Sequence, residues 1–474
     1  MLLAPPALRA QIGRIDPSLE KQVELIPGKR EVVGGKVSPY VFVSEHYRVE
    51  SDLSLACSTW AGQFLESCWP KLRKRFGLSA KPTHDRKKFF VYIHERREDL
   101  EVAIKLESPD LNSHENHGYY SFKTGNLRVW FDPLPTHFRR LLLHEAAHQF
   151  HYSSLGPGRG QFRRSPHWYI EGVAHELERH EADGRSLKLG LADSCYFPEF
   201  SFEALEIVKA RRFRLDNFLR GRRSSVPKEQ LESRALGWSV VRFFRHGASR
   251  KEKEWFKNFE RNLSGGGGVP ARTRRRGNDE VDRIEHQKVR ERLITFLEKD
   301  VERAASKPRG EWVKPSKNTF KSHYTGGWFN VLPLAKIYAH SKFSASFVMP
   351  RKPQPNEGVG FLIGYHNKKS YLVVQVTGNG KQLYVVSRDG DKFVAPEVHD
   401  LEENLRGKKL HVGFLGKDTL SINVGEKQIA TRSIPQVQRS GYIALFAEDR
   451  SKPTMFGPFH PQHYTFMNVD IRSK

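Results

Sequence analysis

The chain has 474 residues, of which 38% are hydrophobic, 11% aromatic and 28% charged, enough apolar material for packed cores and more length than one ordinary core absorbs. No stretch approaches the roughly 18 to 20 apolar residues of a membrane-spanning helix, so no transmembrane segment is expected. Three cysteines exclude a disulfide framework and a cysteine-based zinc site. The formal charge of +25 admits an acidic partner, but the runs Lys71-Leu-Arg-Lys-Arg75, Arg211-Arg-Phe-Arg214 and Arg274-Arg-Arg276 accompany no nucleic-acid motif, so nucleic acid is disfavoured.

Residues 1–38 read as an N-terminal extension. Its start, MLLAPPALRA, resembles the tail of a secretory leader without the basic beginning, which sets an exported location against a cytoplasmic one. Residues 40–50 alternate as a strand, and 52–76 carry helix-spaced Leu53, Ala56, Trp60, Phe64 and Trp69, with Pro70 interrupting the pattern near its end. Cys57 and Cys68 share that helix; eleven residues at 1.5 Å each separate them by about 16 Å, too far to bridge, so they are expected as buried fillers. A strand at Lys88–His94, a helix over 97–106 and a strand at Asn126–Asp132 follow.

The next helix runs from Thr136 to His151, between Pro135 and the breaker Gly156-Pro157-Gly158. A second spans Pro166 to Glu181, and others 201–211, 228–246, 251–262 and 279–305. Ser264–Gly277, with four consecutive glycines and an arginine run, reads as a flexible loop. From about 318 helical spacing stops. Short alternating segments take over at Phe343–Met349, Val359–Tyr365, Tyr371–Val376, Leu383–Ser387, Leu410–Leu415, Leu420–Val424, Tyr442–Phe446 and Tyr464–Ile471. The expected fold is multidomain α+β: a mainly helical domain with a small sheet over 39–308, a linker at 309–317, and a β-sandwich over 318–474.

The chemistry concentrates in His144-Glu145-Ala146-Ala147-His148. On a helix, residues i and i+4 share a face, so both imidazoles can reach one metal ion, with Glu145 beside it as a general base. A catalytic zinc takes a third protein ligand and an open position. The second helix offers Glu171, at the border of the apolar stripe Ile170, Val173, Ala174 and Leu177. Gly172 beside it suits a close approach to the motif helix. His151 and His167 lie one turn from His148 and Glu171, near the metal face. If Asn126–Asp132 is an edge strand, an extended peptide can pair with it and present its carbonyl to the metal.

H-E-x-x-H followed by a helix with W-x-x-E-G-x-A resembles the gluzincin group of zinc metallopeptidases, to which thermolysin belongs. The resemblance covers residues 40–305 in organisation and is specific in the two helices. It implies a zincin-like domain binding Zn²⁺ through His144, His148 and Glu171, with Glu145 as base and a peptide or protein as substrate. Two positions depart from the pattern. His175 stands where relatives often have an aspartate bracing a ligand histidine, which leaves it as a bracing group, an alternative ligand or a surface residue. Ser233-Arg234-Ala-Leu-Gly237-Trp238 lacks the tyrosine that relatives use on the oxyanion; Arg234 can replace its charge or be a surface arginine.

The C-terminal strands, with Gly358-Val-Gly360-Phe-Leu-Ile-Gly364, the hairpin around Gly425 and the closing Phe466-Met-Asn-Val-Asp-Ile471, resemble laminin-G or concanavalin-like jelly rolls. That likeness implies a glycan or protein ligand, and with it a second possibility for the whole chain, an inactive metal-binding scaffold.

Overall fold

A computed structural model describes residues 32–33, 36–37, 39–76, 87–109, 117–131, 135–154, 165–182, 187–190, 198–221, 233–263, 281, 284–307, 312–323, 330–336, 342–348, 358–367, 370–377, 380–389, 392–394, 397–401, 409–415, 419–433, 442–448 and 463–472. Two compact units result, Met1–Ala192 with Arg214–Arg290, and Asp193–Phe213 with Glu291–Lys474. The chain is thus multidomain α+β. The helix Pro198–Lys209, and the helix His286–Ser306 beyond Arg290, group with the second unit.

The first unit is built on a five-stranded sheet in the order Tyr40–Val43, Tyr47–Ser51, Phe89–His94, Asn126–Trp130, Gly118–Tyr120. The middle three strands are parallel and the outer two antiparallel to their neighbours. Alternation sends Phe89, Val91, Ile93, Leu127 and Val129 to one buried face. There Phe89 lies 5.4 Å from Trp69 of the helix Leu55–Phe76 and 5.3 Å from Phe150 of the motif helix Pro135–Ser154. Full burial of each such side chain contributes on the order of 1.5–3 kcal/mol, which holds the motif helix against the sheet.

Several expectations are corrected here. The single strand over 40–50 is a hairpin, its turn held by Glu66, which accepts from Ser44 Oγ at 2.6 Å and His46 N at 2.7 Å. The helix Leu55–Phe76 continues through Pro70. Asn126–Trp130 is an interior strand; the edge beside it is Gly118–Tyr120. The second helix is His167–Glu178, and His180–Ala182 beyond it is a strand paired with Leu187–Leu189. Of the helix expected over 228–246, residues 228–232 lie outside the described residues; the helix Arg234–Arg242, capped by Ser233, closes in a π-helical turn, Phe243–Gly247. Cys57 and Cys68 are buried free thiols, as expected, with burial pushing each up to about 12. Cys195, the leader-like start and the glycine-rich loop lie outside the described residues.

The second unit contains a sandwich of two seven-stranded sheets. One runs Trp312–Ser316, Thr319–His323, His463–Arg472, Lys342–Val348, Lys409–Leu415, Thr419–Val424, Lys427–Ser433; the other is centred on Gly358–Asn367 and Ser370–Thr377. Inward residues of both, among them Phe343, Val412, Ile422, Phe361, Val374 and Leu445, form one buried cluster. Trp312–Ser316 thus turns part of the expected linker into an edge strand. The helix Pro198–Lys209 packs Phe202 at 4.4 Å from Tyr442 and 5.3 Å from Tyr365. Among the described residues no helix is long and apolar enough to cross a membrane.

Candidate metal centre

The motif helix buries Leu142, Leu143, Ala146 and Phe150 completely, and this anchoring fixes where the other side of the helix points. His144, Glu145 and His148 are themselves buried at 7%, 6% and 7% exposure, so the polar side faces the second helix rather than open water. His144 Nε2 and His148 Nε2 lie 3.2 Å apart. Glu171 brings Oε2 to 3.5 Å from His144 Nε2 and Oε1 to 3.4 Å from His148 Nε2.

Donors at about 2.0–2.1 Å around a tetrahedral zinc stand about 3.3 Å from one another, so these three side chains have the spread of one coordination shell. Two imidazoles and a carboxylate suit zinc chemically. The residues present therefore fit the metal. A looser grouping of His144, Glu171 and His175 spans up to 4.8 Å, too wide for a single shell at those bond lengths.

His175 belongs to the support of the site. Its Nδ1 lies 3.1 Å from Glu178 Oε2, and the same oxygen is 2.9 Å from His144 Nδ1. Glu178 thus contacts both imidazoles, from a position beyond His175 on the same helix. Sequence reasoning missed it by stopping one turn short: Glu178 is seven residues on from Glu171, two turns along the same face. Arg140 Nη2 lies 3.5 Å from Glu178 Oε1.

Burial disfavours charge on every group here, and local partners decide which groups resist it. On Glu171 burial is outweighed by His148 and His144, and on Glu178 by His175, His144 and Arg140, so both carboxyls sit well below their usual range. Burial pulls His144 down, but the two carboxylates more than reverse it and raise the imidazole to about 10. Burial prevails at His148, lowered to about 3, and at His175, lowered to about 4. Glu145 is raised to about 7, chiefly by burial, with His144 and Arg234 opposing the rise.

The edge strand passes directly over this carboxylate. A Cβ on Gly118 would stand 2.8 Å from Glu145 Cγ and 2.9 Å from Leu141 Cδ1, so only glycine lets the strand approach so closely. Behind the site, the second helix is fixed by ion pairs from Glu176 to Arg245, from Arg245 to Glu260 at 2.7 Å and from Arg75 to Glu260 at 2.8 Å. Tyr169 donates to Glu260 at 3.1 Å.

Gly172 does permit a close approach, but to a different helix from the one expected. Its Cβ position lies 2.4 Å from the carbonyl oxygen of Gly237 on Arg234–Arg242, and that of Gly237 lies 2.6 Å from the carbonyl oxygen of Trp168. His151 packs into aromatic surroundings, stacked 5.6 Å from Phe76 and edge-on 5.5 Å from Tyr169. His167 is exposed, with Nε2 4.0 Å from Glu171 Oε1. Arg234 is exposed at the start of its helix, and its charge acts on Glu145, Glu171 and His175.

No family model and no curated protein matches this chain. Among solved structures, a carbohydrate-binding module from Bacillus subtilis is similar at 11% identity and a TM-score of 0.27, over 35% of this chain and 92% of its own. A Bacillus licheniformis β-glucanase gives 9% and 0.28 over 35% and 84%, and a Caenorhabditis elegans galectin 9% and 0.24 over 33% and 99%. Likeness at this level carries no argument about ligand or activity, and the sandwich stands on its own strand pairing.

Proposed function

We propose that the first unit is a zinc-dependent hydrolase of peptide bonds, of the gluzincin type that its two helices resemble. The observation that supports this best is the 3.2–3.5 Å spread of the His144, His148 and Glu171 donor atoms. Zinc bound by His144, His148 and Glu171 would supply Lewis-acid polarisation of a carbonyl and of water. Glu145, buried against Gly118 and outside the donor trio, takes the proton from that water and returns it to the leaving amine. Glu178 Oε2, 2.9 Å from His144 Nδ1, would accept the Nδ1 proton and so orient Nε2 toward the metal. The outer edge of Gly118–Tyr120 pairs with no described strand, so an extended peptide can add there by backbone hydrogen bonds, in the place first expected of Asn126–Asp132.

The deciding experiment is elemental analysis of purified protein beside His148→Ala and Glu171→Ala. One zinc per chain, lost in both variants, supports the reading; a metal-free chain after zinc loading and dialysis rejects it.

A second reading concerns the sandwich as a carbohydrate-binding unit, separate from the catalysis or, in an inactive scaffold, in place of it. Strand register aligns Asp470, Ser344, His411 and Asn423 across four neighbouring strands, on the side opposite the buried Phe343, Val412 and Ile422. Beside them Asn423 donates to Ser421 at 3.1 Å and Gln428 donates to Thr431 at 3.0 Å. Of these, the partly exposed Asp470, His411 and Asn423 offer donors and acceptors to sugar hydroxyls, whereas Ser344 and Ser421 are buried beneath them. Calorimetry with neutral oligosaccharides tests it: heat that disappears in His411→Ala with Asn423→Ala supports binding, and silence across a broad panel rejects it.

A further inference from the structure

We propose that Arg234 receives a carboxylate of the substrate, so that the hydrolase proposed above, on which this inference rests, acts preferentially on peptides that carry a negative charge near the scissile bond.

The placement follows from helix packing. Gly237 meets Trp168, and Gly172 meets both Gly237 and Val241. Advancing from 168 to 172 on one helix therefore matches advancing from 237 to 241 on the other, and the two helices run in the same direction. Arg234, one turn before Gly237, lies level with Ser165 and Pro166, which lead into the helix that carries His167 and Glu171. The start of its helix is well defined, because Ser233 Oγ accepts from Leu236 N at 3.1 Å.

The chemistry of this arginine is unlike that of the others around the site. Arg75 and Arg245 are tied to Glu260, Arg128 to Glu107 and Arg140 to Glu178. Arg234 forms no hydrogen bond or ion pair with any described residue, and it is exposed. Its charge is nonetheless felt by Glu145 and Glu171, which puts the guanidinium within electrostatic range of the reacting centre. A solvated, planar donor fork at the rim suits bidentate capture of a carboxylate arriving from water. The net charge of +25 favours the approach of anionic substrates over the same path.

The carboxylate can come from an aspartate or glutamate side chain or from a free C-terminus. Four matched fluorescent peptides separate these sources: neutral and amidated, internal glutamate and amidated, internal lysine and amidated, and neutral with a free C-terminal carboxylate. Binding to zinc-loaded Glu145→Gln protein is read by anisotropy, alone and combined with Arg234→Gln, Arg234→Lys or Arg234→Glu. Zinc content and circular dichroism verify each fold.

One acidic peptide should bind at least about 10-fold more tightly than the neutral one, within the strength of a charge-assisted pair. Which one does so identifies the source. Arg234→Gln should erase the preference, Arg234→Lys should keep part of it, and Arg234→Glu should turn it toward the lysine peptide. An acidic preference untouched by Arg234→Gln, or binding that ignores charge, overturns the inference and leaves the hydrolase reading standing. Equal loss of turnover for all four peptides in Arg234→Gln with Glu145 intact, at unchanged binding, also overturns it and makes Arg234 an oxyanion donor. Failure of every peptide to bind a zinc-loaded protein removes the hydrolase reading and this inference with it.

Discussion

The two units bury polar groups in opposite ways. The first places His144, Glu145, His148, His151, His175, Glu176, Glu178, Arg179 and Arg242 below 9% exposure, while among the described residues of the second the buried polar side chains are the hydroxyls of Ser201, Ser322, Ser344, Ser346, Thr377, Ser387 and Ser421 and one carboxyl, Asp300. Desolvating an ionisable group costs several kcal/mol unless partners compensate, and fold stability alone gives no reason to accept that cost repeatedly. The sandwich shows what a core looks like when packing decides it. The first unit shows a core in which two helices are held in place to present charge, and perturbing each unit measures the difference.

The largest effect is expected at Glu145. Glu145→Gln keeps the size of the side chain and its hydrogen-bonding shape while removing the proton acceptor. Peptide hydrolysis should fall by at least about 10²-fold with zinc content and melting temperature unchanged, the lower range of what a positioned acid-base group contributes. Wild-type turnover of a confirmed peptide substrate by this variant would rule out Glu145 as the base.

Next comes Glu178, which touches no substrate and acts through His144. Glu178→Gln should weaken zinc binding by about 10- to 100-fold, as loss of a group orienting a metal-bound histidine does, measured by competition with a chromogenic chelator. Unchanged affinity would mean that the 2.9 Å contact to His144 Nδ1 is incidental.

How much of this was legible beforehand depended on whether the signal was local. The proximity of His144 and His148 could be read because helix geometry fixes the distance between i and i+4, and the nearness of Glu171 because its own helix has a clear apolar stripe. Glu178 escaped because its partner, His144, lies 34 residues away, and sequence spacing does not reveal contacts between helices. Gly118–Tyr120 is three residues long, too short for alternation to register, and missing it made its interior neighbour look like the edge. In the sandwich, Trp312–Ser316 and Asn330–Lys336 carry Pro315 and Pro333, which argue against a strand; both strands end their sheets and have irregular register beside the proline, where a missing N–H is tolerated.

A smaller effect compares glycines between the units. Gly172→Ala would push a methyl group to 2.4 Å from the Gly237 carbonyl oxygen, backbone against backbone, whereas Gly413→Ala in the sandwich meets only the flexible Lys342 side chain at 3.4 Å. The first should lower stability by about 1–3 kcal/mol, as overpacking does, and the second by less than about 0.5 kcal/mol. Thermal melts of the two variants check the pair, and equal shifts would show that the helix contact yields easily.

The last comparison is with acid. His151 is buried in the first unit between Phe76 and Tyr169, one helical turn beyond His148, and burial, then Arg75, lowers its imidazole to about 3. In the unfolded chain it titrates near 6.5. Between those values the unfolded state binds the proton and the folded state does not, so the unfolded state gains relative to the folded one as pH falls from about 6.5 toward 3. The stability lost through this one group is at most about 1.4 kcal/mol per pH unit. No histidine is fully buried among the described residues of the second unit, so none of those residues adds this acid sensitivity. Denaturation at pH 7 and pH 5, followed by exchange of backbone amides in each unit, should show the first unit weakening over this window more than the second. His151→Phe, which keeps the ring stacking and removes the proton site, should reduce the difference; if it leaves the acid response of the first unit unchanged, the sensitivity comes from the other buried histidines, His94, lowered to about 4 by burial, or those of the metal site.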